Sequence, residues 1–180
     1  MAKGNPPVDL IRKAVVDTGP LFNVLALVFV RNSPTHRRSG FERIFGAADY
    51  LHDPVFERKL LELFDNIQNI LITSHVIGEL TGRRKQSKLP SREFWLSSVD
   101  YLARKKVDEK LLGLIEICSS DEGRESVNQI DPTDAGLIEL ARREKCILLT
   151  DDKILALRAW NMRLGDDCRL VGPLLSQHVT

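Results

Sequence analysis

Lys13-Ala-Val-Val-Asp17-Thr-Gly-Pro-Leu21 is an apolar run with two valines that stops at an acid and then at turn formers. A short β-branched run closed by Gly and Pro reads as a buried strand ending in a loop. Strands buried on both faces belong to parallel sheets covered by helices. In such sheets ligands bind beyond the carboxyl ends of the strands, so Asp17 stands at the expected crevice. A capping role serves Asp17 equally well, and Thr18 could fill it too, because residues 20–30 read as a helix.

Three further acids repeat this placement. Ile70-Leu-Ile-Thr-Ser74-His-Val-Ile-Gly-Glu79-Leu80 reads as a strand running into a helix capped by Thr73 or Ser74. Helical spacing sets Glu79 on the side of Val76 and Leu80. A carboxylate buried there needs a cationic partner, because leaving it unpaired costs several kcal/mol. One at the flank would reach solvent or pair with Arg83 at i+4. In Asp131-Pro-Thr-Asp134-Ala-Gly-Leu-Ile-Glu-Leu-Ala141, Asp131 and Pro132 mark a helix start. Asp134 stands one turn before the stripe of Leu137, Ile138 and Ala141, where the helix dipole also favours an acid. Cys146-Ile-Leu-Leu-Thr150-Asp151-Asp152-Lys153 is a strand ending in two adjacent carboxylates, which a neighbouring cation would stabilise. Helix capping is the other reading of Asp152, although Thr150 and Asp151 could supply it. Each acid taken singly has a structural explanation. Four at equivalent topological positions point to one site.

Beyond these motifs the chain reads as strand 13–17, helix 20–30, a helical region 41–67, strand 70–73 and helix 74–85. A polar linker near 86–91, helices near 92–104 and 109–119, and a Ser/Asp/Gly/Asn-rich stretch to Asp131 follow. Helix 132–144, strand 146–150, helix 152–160 and a strand near 169–171 complete it. Alternating strands and helices predict an α/β fold, a mostly parallel central sheet flanked by helices. With 180 residues, 43% hydrophobic and 28% charged, one domain with a sizeable core is expected. Its expected extent is residues 13–171, between an N-terminal tail over 1–12 and a C-terminal tail over 172–180. The aromatic-bearing segment 31–69, with Phe41, Ile44, Phe45, Tyr50, Phe56 and Phe64, is a longer helical insertion that packs on the sheet or forms a partner surface.

The motifs around Asp17, Glu79, Asp134 and Asp152, in that order, resemble those of the PIN-domain nucleases over most of the chain, from about residue 13 to 171. The resemblance implies a Mg²⁺- or Mn²⁺-dependent endoribonuclease, a phosphodiester hydrolase, with those four acids as the catalytic and metal-holding set. It adds Asp151 as a possible second ligand at the last motif, and Thr18, Thr150 and Ser74 as accessory hydroxyls. Many relatives are toxins of toxin-antitoxin pairs of the VapC type, which implies an antitoxin protein as partner and a homodimer. The length of segment 31–69 departs from a compact toxin and fits a stand-alone processing or decay nuclease. The residue chemistry agrees independently, since hard cations prefer carboxylate oxygen and the constellation has no His/Cys cluster for zinc.

A net charge of +1 does not announce a nucleic-acid binder. Arg83, Arg84, Lys85 and Lys88, with Arg92 beyond and Arg37-Arg38 after the first helix, are candidates for phosphate contact beside an acidic site. Solvated surface is the plain alternative for each cluster, and dipole complementation for Arg142-Arg143. Cys118, Cys146 and Cys168 are odd in number and widely spaced, which predicts reduced thiols and a cytoplasmic location. The longest apolar stretch, residues 20–30, is too short to cross a bilayer, so no membrane association is expected. No apolar leader follows Met1, so no secretory signal is expected.

Three rivals share some of these features. A haloacid-dehalogenase-type phosphohydrolase wants a second aspartate two residues after the first, where Gly19 stands. A flap-type DNA nuclease uses a larger acidic set and a helical arch. A non-catalytic RNA- or protein-binding module could use the same fold, and Asp17→Asn separates it from the enzymes.

Overall fold

A computed structural model describes residues 10–32, 54–86, 91–112, 114–119, 131–162, 164 and 167–172. Within them β1 (Ile11–Val16) leads into α1 (Thr18–Asn32), and α2 (Pro54–Asp65) precedes β2 (Ile67–Thr73). Next come α3 (Ser74–Gln86), α4 (Ser91–Arg104), β3 (Asp108–Lys110) and the single turn α5 (Leu114–Ile117). The chain continues with α6 (Pro132–Glu144), β4 (Ile147–Thr150), α7 (Lys153–Asn161) and β5 (Cys168–Leu170).

The five strands form one parallel sheet in the order β3-β2-β1-β4-β5. The chain builds outward from β1 through β2 to β3, then returns to place β4 on the other side of β1. That reversal opens a crevice at the carboxyl ends of β1 and β4, the position where open α/β sheets bind ligands. Ala14, Val15, Val16, Ile70, Ile72, Leu148 and Leu149 are buried, as strands covered on both faces require.

Helix α1 is buried along Thr18–Phe29, so the apolar run after Asp17 is a core helix. Phe22 and Phe29 both pack on Phe94 of α4, with ring centroids 6.0 and 5.9 Å apart. Phe64 of α2 is also buried, consistent with core packing of that part of the 31–69 segment. Phe41, Ile44, Phe45 and Tyr50 lie outside the described residues, as do Arg37, Arg38, Lys88 and the stretch before Asp131. Most of the two expected tails lies there as well, in residues 1–9 and 173–180.

Several expected boundaries move. β1 begins two residues before 13, and β2 begins at Ile67, before 70, because Ile11 pairs with Ile67. The helix expected near 109–119 is replaced by β3 and the short α5. Asp108, Glu109 and Lys110 carry no apolar run, and they form a strand because they pair with Leu71, Ile72 and Thr73. Arg142 and Arg143 do more than face a dipole. They bond both oxygens of buried Glu139 at 2.6 Å, and Arg143 also reaches Glu116 of α5 at 2.6 Å. A buried carboxylate is tolerated when it is paired in this way.

Helix α6 matches its expected range, and Asp131 caps it by accepting from Thr133 N at 2.7 Å. Its other end closes at Lys145, a left-handed residue at φ 50°. A side chain there is strained by about 1 kcal/mol. Lys145→Gly is therefore expected to stabilise the protein by about 0.5–1 kcal/mol, read as a higher denaturation midpoint with an unchanged slope. A lower midpoint would mean that Lys145 makes a compensating contact.

Among the described residues no helix is long and apolar enough to cross a membrane. Cys118, Cys146 and Cys168 are in no disulfide. Burial raises the Cys146 thiol and pushes Cys168 up to about 11, which makes both poor nucleophiles.

Candidate functional site

Asp17 follows the last residue of β1 and is tied across the switch point, its N–H donating to Leu149 O at 2.9 Å. Its carbonyl accepts from Leu21 N at 3.2 Å, which places it at the start of α1. One carboxylate oxygen accepts from the Thr18 N–H, and the other accepts from Thr150 Oγ1 at 2.6 Å. The carboxylate is therefore held between β1 and β4. Burial raises its pKa, the bonds from Thr150 and Thr18 oppose this, Glu79 adds to it and Arg83 again opposes it.

The two threonines are fully buried and differ in role. Thr150 Oγ1 donates to Asp17 and accepts from Asp152 N at 2.9 Å, joining the two motifs that flank the switch point. Thr18 Oγ1 donates to Glu79 Oε2 at 2.6 Å, joining α1 to α3. Two hydroxyls thus tie four elements, β1, β4, α1 and α3, around one mouth. Ser74 is the first residue of α3 and half-buried. Thr73 does not cap that helix, because its hydroxyl is buried with no hydrogen-bond partner.

Of the two positions open to Glu79 from the sequence, the structure has the flank. Val76 and Leu80 are buried, whereas Glu79 is exposed. Its position between the buried stripe and solvent lets it reach buried Thr18 from the rim. Asp134, in the first turn of α6, is half-buried, and its pKa is pushed up to about 6. Burial is the largest cause, followed by the negative charges of Asp17, Asp131, Asp152 and Glu79. Acids from four separate parts of the sequence therefore share one electrostatic neighbourhood.

At the last motif the two adjacent acids divide. Asp152 is exposed and caps α7, accepting from Ile154 N at 2.7 Å and Leu155 N at 3.1 Å. The cap is thus Asp152 itself, although Thr150 and Asp151 were the residues expected to make it dispensable there. Asp151 turns toward α1. A Cβ built on Gly19 would lie 3.6 Å from Asp151 Cβ, and Asn23 Nδ2 donates to Asp151 Oδ2 at 3.3 Å. Asn23, only 7% exposed, is the residue to which the sequence assigned no role. Its signal was an amide within the apolar run 20–30.

The donor atoms gathered here are carboxylate and hydroxyl oxygens, the set preferred by hard divalent cations. The charge they carry is only partly offset, as the elevated Asp134 records. As the side chains stand, no three His, Cys, Asp or Glu residues among those described are grouped closely enough to hold a metal ion. Donor chemistry therefore fits a cation, and occupancy requires the carboxylates to draw together. Arg83 and Lys85 are exposed at the end of α3 and Arg84 is half-buried. No family model matches the chain, and no curated protein matches it.

Proposed function

We propose that this chain is a Mg²⁺- or Mn²⁺-dependent endoribonuclease with Asp17, Glu79, Asp134 and Asp152 as its metal-holding acids. The observation that carries the reading is Asp134. Its proton is retained up to about pH 6 by burial and by acids on other elements, at the carboxyl end of a parallel sheet. Unoffset negative charge at a switch point is what a divalent cation relieves.

Each residue has a part in that activity. Thr150 orients Asp17 and Thr18 orients Glu79, so two of the acids enter with fixed rotamers. Asp134 must lose its proton to act as a ligand, which makes cation affinity fall below about pH 6. Arg83 and Lys85 meet the phosphates flanking the scissile bond. A bound ion would supply an activated water and stabilise charge on the phosphodiester during in-line displacement.

A second reading, an RNA-binding module without turnover, is favoured by the absence of a grouped acid triad among the described residues. Thermal melting with Mn²⁺ or EDTA, beside cleavage of a mixed-sequence RNA and a flap DNA, separates the readings. The nuclease reading expects Mn²⁺ at about a hundredfold excess over Kd to raise the melting temperature by about 5–10 °C. It also expects RNA to be cut only with the metal. RNA binding with neither shift nor cleavage establishes the binding module, and cutting of the flap DNA alone reassigns the substrate.

The basic end of α3 gives a separate expectation. Arg83→Ala with Lys85→Ala should weaken RNA binding about tenfold and lower the salt slope of binding by about 1–2. An unchanged slope would place both side chains outside the RNA path.

A further inference from the structure

Asp17 stands between two threonines. Strand β1 pairs with β2 in the register Val15↔Leu71 and with β4 in the register Val16↔Leu149. Carried on to the strand ends, the first register sets Asp17 level with Thr73 and the second sets it level with Thr150. Residues level with one another on parallel neighbours turn their side chains to the same face, on backbones about 4.8 Å apart. The bond from Thr150 Oγ1 to Asp17 is the outcome on one side.

Both threonines are fully buried, yet only one hydroxyl meets the acid. Thr73 Oγ1 has no hydrogen-bond partner among the described residues. A buried hydroxyl left unpaired destabilises the fold, and valine would fill the same space without that cost. The methyl group of Thr73 is explained by packing, since a Cβ built on Gly136 of α6 would lie 3.5 Å from Ile117 Cδ1 and 3.9 Å from Thr73 Cγ2. Packing therefore accounts for the branched shape and leaves the oxygen unaccounted for. Asp17 has room to receive it. Its two oxygens accept one bond each, from the Thr18 N–H and from Thr150, and a carboxylate oxygen can accept two.

We propose that Thr73 is a positioning residue of the acidic site, its hydroxyl donating to Asp17 from the side opposite Thr150 when the carboxylates draw together. The inference rests on the metal-dependent reading, because a bound cation is what would gather the acids. Asp17 is then held by hydroxyls from both neighbouring strands, β2 and β4. The unpaired hydroxyl is a cost of the metal-free site that the loaded site removes.

The test is calorimetric titration of Mn²⁺ into the full chain, beside melting in EDTA, on wild type, Thr73→Val and Thr73→Ser. Thr73→Val is expected to weaken Mn²⁺ binding by about tenfold or more, the usual loss when a group bonded to a metal ligand is removed. In EDTA the same variant should melt about 2–5 °C above wild type, because the unpaired hydroxyl is gone. Thr73→Ser keeps the hydroxyl and loses the methyl, so it should bind Mn²⁺ as wild type does and melt lower in EDTA. Affinity and stability then part in both variants, which a purely structural role does not produce. Wild-type affinity in Thr73→Val overturns the proposal and leaves the metal reading standing. So does weakened binding in both variants, which would trace the effect to packing. A Thr73→Val that melts below wild type in EDTA also overturns it, since the hydroxyl would then have a partner in the metal-free fold. A wild type that binds no Mn²⁺ overturns this proposal and the metal reading together.

Discussion

Asp17→Asn is expected to lower metal-dependent RNA cleavage by about 10²–10³-fold while leaving the metal-free protein as stable as wild type or more so. The substitution keeps the shape of the side chain; its one amide oxygen can accept from the Thr18 N–H while its NH2 donates to Thr150 Oγ1, so the link from β1 to β4 survives with its direction reversed. It removes the charge. Asp17 is raised chiefly by burial, so its ionised form opposes folding at neutral pH, and that opposition disappears in the amide. Activity and stability then move in different directions, which a misfolded variant would not do. The Mn²⁺-induced rise in melting temperature should vanish together with cleavage. Cleavage at the wild-type rate would remove Asp17 from the site and the nuclease assignment with it.

Asp134→Asn is expected to reduce cleavage about 10²-fold and to change how stability depends on pH. Asp134 is pushed from 3.8 up to about 6 in the fold. The folded state therefore binds more protons than the unfolded state between those values, and stability falls as pH rises through that window. Above about pH 6 the whole penalty is present. Because the carboxyl is only half-buried, solvent screening holds it to about 1–2 kcal/mol. In EDTA, wild type should lose that much between about pH 4 and 6.5, and Asp134→Asn should lose correspondingly less over the same range. Denaturant midpoints at four or five pH values decide the matter. Parallel curves for the two proteins would show that Asp134 titrates normally and does not sense the other acids.

The four acidic motifs could be found in the sequence because each is bounded by strong local signals. Valines and leucines before Asp17 and Asp152 must be buried strands, and Asp131-Pro132 ahead of Asp134 starts a helix in almost any surroundings. Local signals do not reach across the sheet. β3 was missed because Asp108, Glu109 and Lys110 carry no apolar pattern and are a strand only through their pairing with β2. The sequence leaves Glu79 open between a buried and a flank position, because helical spacing gives a face but not where the face meets solvent. In the structure it stands at the rim, held by Thr18.

The alternation of strands and helices, hence a parallel α/β sheet, and the placing of acids where strands end are legible in the chain alone. Apolar runs and caps act over a few residues, so they can be read without knowing the fold. The assembled fold is what returns β4 beside β1, so that Thr150 can hold Asp17 although 133 positions separate them. It also decided how two adjacent acids divide, Asp152 capping α7 and Asp151 facing Asn23. Neighbouring carboxylates are alike in local sequence, and what tells them apart is the direction of each side chain and the groups that other elements bring to meet it.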